Sequence, residues 1–350
     1  MSDVALSVLD LAPVADGSTP SQALENALDL TRHVEALGYG RVWVAEHHNM
    51  PGIASSSPPV LLAHLAAHTD RIRLGSGGVM LPNHAPLVVA EQFGMLEALH
   101  PGRIDLGLGR APGTDGLTAA ALRRSSDPFG NEDDFPAQLA ELRGFLRGDL
   151  PREHPLHRIK AVPNNGREPD VWLLGSSGFS AGLAGELGLP FSFAHHFSAQ
   201  NTVPAVDLYR SSFQPSEVLQ RPYVMLGVNV VAADDDERAR FLAGSANLQM
   251  MRLRQGNPGL LPTPEEAEQQ LRGEAAQRFV ASRAASQIVG GPGAVRRGIE
   301  ELLARTNADE LMVTTSVHDH GERRRSFEIV AEVMDLAPRG APSAAGVTAA

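Results

Sequence analysis

Along nearly the whole of the 350-residue chain, short β-branched or apolar runs alternate with longer stretches of helical period. That alternation admits few folds. A strand, a helix and a second strand in succession give parallel pairing, because the helix carries the chain back across the sheet. Strands are expected at Val4–Leu9, Arg41–Ala45, Ile72–Gly78, Arg103–Leu108, Asp170–Leu174, Phe191–Ala194, Tyr223–Val231 and Glu310–Thr315. Helices are expected at Ser21–Leu37, Pro58–Thr69, Pro86–Leu99, Ser177–Leu187, Pro292–Arg305 and Arg323–Leu336. Gly38 stands where a left-handed C′ residue would end the first helix, and Pro86 takes a first helical position.

Eight strands alternating with helices are most simply closed into a (β/α)8 TIM barrel of class α/β. Insertions follow strands 4 and 7, at Gly109–Glu168 (with a helix near Asp133–Leu146) and at Asp234–Ser286. An open doubly wound sheet is the competing architecture. The segment after the first strand, LDLAPVADG, lacks the glycine fingerprint that a dinucleotide-binding sheet of that kind carries there. Residues 1–336 are expected to form one domain. Residues 337–350, small and aperiodic, are expected to be a disordered tail.

Composition removes several function classes. With no cysteine there is no disulfide, thiolate nucleophile, iron–sulfur cluster or cysteine-bound zinc. A net charge of −11 opposes a nucleic-acid surface. No apolar run reaches membrane length, and the N-terminus reads as a first strand rather than a signal peptide, so a cytoplasmic location is the default expectation.

In a closed barrel the active site lies at the carboxyl ends of the strands. Three jobs can be assigned to those ends here. Gly175-Ser176-Ser177-Gly178, between a strand and a helix, can bind an anion through backbone N–H groups and hydroxyls, with Arg110 adding a guanidinium. The same residues could instead only turn the chain and cap the helix. Gly75, Gly77 and Gly78 allow a flat ligand close to the backbone, or else mark a β-bulge. His47 and His48, adjacent in extended chain, point to opposite sides, so one can face the mouth and handle protons, or both can be structural. His47, His48, His195, His196, His318 and His320 all fall near strand ends and would permit a metal. The HxH pair of barrel metal hydrolases belongs on the first strand, where LDLAP stands, and no metal is expected.

The stretch from RVWVAEHHN through GGVMLP and AEQ to GRIDLGLGRAPG, with DVWLLGSSGFS and the later VGGPGAVRRGIEELLARTNADELMVTTSVHDH, resembles the bacterial luciferase-like flavin monooxygenases, and these pieces span most of the barrel. The resemblance implies a homodimeric (β/α)8 barrel that takes reduced FMN from a separate reductase and oxygenates a small organic substrate with O2. It implies His47 as the acid/base beside the flavin, with His48 its neighbour. It implies a cis peptide at Gly77–Gly78. The flavin site then comprises His48, with Gly77, Gly78, Met80, His195 and His196 around the ring. Arg110, Gly175, Ser176, Ser177, Phe179 and Ser180 surround the phosphate. F420-dependent hydride transfer on the same fold is the alternative, and a non-catalytic flavin binder the third. Light-emitting relatives carry a reactive cysteine where this chain has Gly109, so light emission from long-chain aldehydes is not expected.

Overall fold

The computed structural model describes residues 4–111, 113–123, 134–163 and 168–337. Nine parallel strands are found among them: β1 (Ala5–Asp10), β2 (Arg41–Val44), β3 (Arg73–Met80), β4 (Ile104–Gly109), β5 (Asp170–Gly175), β6 (Phe191–Phe193), β7 (Val224–Ala232), β8 (Gln287–Gly290) and β9 (Glu310–Thr314). Each of β1 to β7 pairs with the next. β9 then joins β7 to β1, with Met225 opposite Glu310 on one side and Ala5 opposite Glu310 on the other. These eight strands close a barrel, so no open edge is left, and the doubly wound alternative is excluded. β4 and β7 are buried along their whole length, which is why IDLGLG and VMLGVNVVA show no polar alternation.

The expected strands lie within two residues of the observed ones at each end. The ninth is a correction. Gln287–Gly290 was assigned to no strand, yet it pairs with β7 from Asn229 to Ala232, outside the closed ring. Its four residues, QIVG, are too few to show a period.

The helices that follow the strands are α1 (Pro20–Leu37), α2 (Pro58–Ala66), α3 (Pro86–Leu99), α6 (Gly178–Glu186), α7 (Thr202–Ser212), α11 (Pro292–Thr306) and α12 (His320–Val333). The first insertion holds α4 (Gly116–Arg123) and α5 (Phe135–Arg147), and the second holds α8 (Asp236–Arg254), α9 (Pro264–Gln270) and α10 (Glu274–Arg283). Gly38 ends α1 at φ 96°, a left-handed conformation open to glycine at no steric cost. Helix α7 was not anticipated, although Thr202, Ala205, Val206 and Tyr209 bury one face at helical spacing. Helix α12 starts three residues earlier than expected, because the Asp319 carboxylate accepts the Glu322 N–H and caps it. The anticipated tail from residue 338 onward lies outside the described residues, as does Pro112.

The barrel interior is layered. At the amino ends of the strands Arg41 donates to Asp105 (2.7 Å) and Glu310 (2.8 Å), and Arg73 joins Asp105 to Asp170. Burial works against the charge on Arg41, but the two carboxylates outweigh it and push its pKa up. Above this plug Trp43 and Trp172 meet edge to face at 5.3 Å, and Trp43 Nε1 donates to Asp105 at 2.9 Å. Leu9, Ala45, Met225 and Met312 form the apolar layer with them. The remaining core lies between barrel and helices.

Candidate active site

Over Trp43, at the carboxyl ends of the strands, lies a cavity of about 230 Å³. Leu9, Leu11, Ala45, Leu174 and Met312 make its walls apolar, as expected for a small-molecule site. His47, Gly77, Gly78, Met80, Arg110, Gly175, Ser176, Ser177, Ser180 and His196 all line it. Residues 47, 110, 176 and 196, far apart in sequence, thus share one cavity.

One end of the cavity is built by the start of α6. Ser177 is the N-cap residue of this helix, but its side chain makes no cap hydrogen bond. Neither Ser176 nor Ser177 engages its hydroxyl with a described protein partner. The Arg110 guanidinium stacks over the Phe179 ring at 4.2 Å, which ties the end of β4 to the first turn of α6. Phe179 itself does not line the cavity and acts through Arg110. Backbone N–H groups at a helix start, free hydroxyls and an arginine are the donor set for a phosphate.

The Gly77–Gly78 peptide is cis, and the β3–β4 register shifts between Gly77 and Val79. Bulge and ligand wall are thus features of the same residues. A Cβ on Gly78 would come within 2.3 Å of Leu174 Cδ1 and 2.9 Å of the Gly107 carbonyl oxygen, so no side chain fits there. Gly75 does not reach the cavity. It makes room for Trp43 and Asp105 one layer down.

The two histidine pairs divide alike. His47 is half-buried and faces the cavity, and its buried Nδ1 has no hydrogen-bond partner. Burial is the main cause that lowers its pKa to about 4, Glu46 opposing and His48 assisting. It is therefore a neutral imidazole at pH 7. His48, expected in the flavin site, does not line the cavity; it bonds Glu46 Oε1 through Nε2 at 2.9 Å. His196 lines the cavity, and its Nδ1 lies 2.8 Å from the Gly227 carbonyl oxygen. Nδ1 must donate there, which leaves Nε2 as an acceptor. Burial lowers its pKa to about 4 as well, partly offset by that hydrogen bond. His195, expected at the ring beside its neighbour, turns the other way, and its Nδ1 bonds Thr202 Oγ1 at 2.8 Å. The reason is the same in both pairs: successive side chains at a strand end alternate between barrel interior and exterior.

Glu46 was quoted in the sequence motif without a role. Its buried carboxylate accepts from the Met80 N–H (3.0 Å) and Asn83 Nδ2 (3.2 Å), and also bonds His48 and His84 (both 2.9 Å). Burial opposes its ionisation, yet the His84, His48 and Met80 hydrogen bonds prevail and hold its pKa below the usual value. Glu46 thereby fixes the end of β3 and the segment that carries His47. His318 and His320 bond instead to the Asp16 carbonyl oxygen and the Asp29 carboxylate, and no cluster of metal-ligating side chains occurs among the described residues. No helix among them is long and apolar enough to cross a membrane.

A second cavity of about 310 Å³ adjoins the first, and Leu11, His47 and Phe197 line both. Sequence reasoning sought polar and glycine residues at the rim, so it passed over the apolar walls and this compartment.

Fold and site together define a (β/α)8-barrel protein with an apolar cavity at its carboxyl mouth, lined at one end by Arg110 and the start of α6. More specifically, the chain belongs to the luciferase-like monooxygenase family, whose profile matches residues 4–310. It is 47% identical over 332 residues to a luciferase-like monooxygenase of Escherichia coli K12, covering 95% of this chain and 97% of that one. It is 51% identical to the Bacillus subtilis protein YvbT (95% and 97% covered), and 32% identical to the N-acetyl-S-alkylcysteine monooxygenase of the same organism (96% and 100%). Among solved structures, apo-MsnO8 superposes with a TM-score of 0.88 at 38% identity, covering 96% of this chain and all of that one. The fold alone is shared with the FMN-bound oxygenating component of 3,6-diketocamphane monooxygenase from Pseudomonas putida, at TM-score 0.71 and 18% identity (96% and 98% covered). It is shared likewise with an F420-dependent secondary alcohol dehydrogenase, at 0.67 and 14% (95% and 98%).

Proposed function

We propose that this protein is a monooxygenase that binds reduced FMN, received from a separate reductase, and oxygenates a small organic substrate with O2. One observation carries the proposal. The first turn of α6 with Ser176 and Ser177, the Arg110 guanidinium, and a half-buried imidazole whose Nδ1 has no hydrogen-bond partner (His47) line the same apolar cavity. Arg110 and the start of α6 would hold the phosphate. The Gly77–Gly78 backbone, Met80 and His196 would flank the ring. Bound reduced flavin supplies the electrons and the oxygen chemistry.

The protein's own part is threefold. Arg110 and the α6 N–H groups orient the cofactor. The Leu9, Leu11, Leu174 and Met312 walls exclude water. His47, neutral and with Nδ1 open, can take up or deliver a proton at that atom. The name of the N-acetyl-S-alkylcysteine monooxygenase makes sulfur-bearing amino-acid derivatives natural first substrates to assay.

Anaerobic titration with reduced FMN and, separately, with reduced F420 tests the cofactor. FMN should bind more tightly, and Arg110→Ala should weaken it by about ten- to a hundred-fold, the loss of a charge-assisted contact to phosphate. Tighter binding of F420 would transfer the reading to oxygen-independent hydride transfer, and binding of neither would remove both.

A further inference from the structure

The second cavity contains an arginine that has no counter-charge among the described residues. Arg283, at the end of α10, is only 8% exposed and lines this cavity. Among the described residues its side chain has one partner, the neutral Asn247 Oδ1 at 3.0 Å from Nε. The charge nearest to it in effect is another cation, Arg254. Other buried arginines in this protein are treated differently. Arg323 is paired with Asp10 at 2.6 Å, and Arg41 with Asp105 and Glu310. A buried guanidinium with no carboxylate partner is expensive, and an anion in the cavity would relieve that cost.

A second unmet polar group faces the same space. Asn229, on β7, is also 8% exposed and lines the cavity, and its Oδ1 has no hydrogen-bond partner. Turned over, its amide presents a donor instead. The rest of the wall is largely apolar, with Met50 and Ile53 from the loop after β2 and Met250 and Leu253 from α8.

We propose that this compartment is the substrate site and that it takes a small organic monoanion, a carboxylate or sulfonate on a short apolar body. Arg283 holds the charge in a bidentate contact and Asn229 adds a hydrogen bond. The apolar body runs toward His47, which stands between this compartment and the proposed flavin cavity. The proposal rests on the flavin reading for the word substrate, but the anion site stands on its own residues.

Calorimetry with hexanoate, hexane-1-sulfonate and methyl hexanoate on the purified full-length protein tests it, with FMN binding measured in parallel. At least one anion should bind the wild type about ten-fold or more tightly than the neutral ester, as one charge-assisted contact requires. Which anion binds better identifies the headgroup. Arg283→Gln should abolish that preference and leave FMN affinity unchanged. If Arg283→Gln does not fold, Asn229→Asp takes its place: its carboxylate would compete for Arg283 and weaken the anions but not the ester. Equal binding of ester and anions, binding of none of them, or a preference that survives the substitution would overturn the proposal. Lost FMN binding with an intact Arg283-dependent preference would sink the flavin reading alone.

Discussion

His47 and His196 are both half-buried against the cavity, and loss of hydration there lowers their pKa values to about 4 from 6.5. Their effect on stability has a definite sign. Between pH 4 and 6.5 the unfolded chain binds protons that the folded chain does not, so stability rises with pH across that window and is complete above it. Each shift corresponds to on the order of 3 kcal/mol when fully developed. Glu46 acts in the same direction, since its depressed pKa contributes stability that is lost on acidification. Urea unfolding at pH 4.5 and 7.0 should therefore show a loss of several kcal/mol at the lower pH, and His196→Asn should reduce the difference. Equal stability at the two pH values would contradict the neutral assignment. For chemistry, His47→Ala should lower coupled product formation about a hundred-fold, as expected for a removed proton carrier. Reduced-FMN affinity in that variant should stay within a factor of about two, because the phosphate contacts that dominate it are untouched.

Among the elements, α6 and α3 show different uses of a helix. α6 is short, and its first turn is left open toward the cavity, where Arg110 meets it. α3 instead exposes Val88, Met95 and Leu99, which are seven and four residues apart and so share a face, while Val60 on α2 is exposed as well. We propose this apolar face as the homodimer contact, since a helix face of this kind is costly to leave in water. Met95→Asp combined with Leu99→Asp should convert a dimer into a monomer in analytical ultracentrifugation. A protein that sediments as a monomer before substitution would remove the idea.

At the scale of the molecule, the barrel is closed at one end by charge and opened at the other by a cavity. Asp105 takes hydrogen bonds from Arg41, Arg73 and Trp43, and so joins three strands at the plug. Asp105→Asn would remove one of the two carboxylate partners of each of the part-buried Arg41 and Arg73 and leave Asp105's buried position without its charge. It should destabilise the protein by about 3–5 kcal/mol, the usual outcome when one member of a buried ionic network is removed. Reduced FMN should bind the folded fraction normally, because the Trp43–Trp172 layer separates plug from cavity. Thermal melting with and without cofactor measures both parts.

Sequence by itself determined the alternation of strand and helix, the parallel sheet and the end of the barrel that carries the site. These follow from local periodicity and from the rule that helices return the chain to the same side. It also supplied Arg110, Ser176, His47 and the Gly77–Gly78 pair as candidates, the last through resemblance. Strand β8 and helix α7 escaped, one being too short for a period and the other carrying a pattern that was not assigned. Tertiary structure alone decided that His47 and His196 face the cavity while His48 and His195 do not. Only the structure set Arg283 and Asn229 in one compartment against His47. Strand periodicity says that neighbouring side chains diverge but not which of them points inward. Residues 47, 229 and 283 line one cavity only because the ring of strands closes and the second insertion folds back over its mouth.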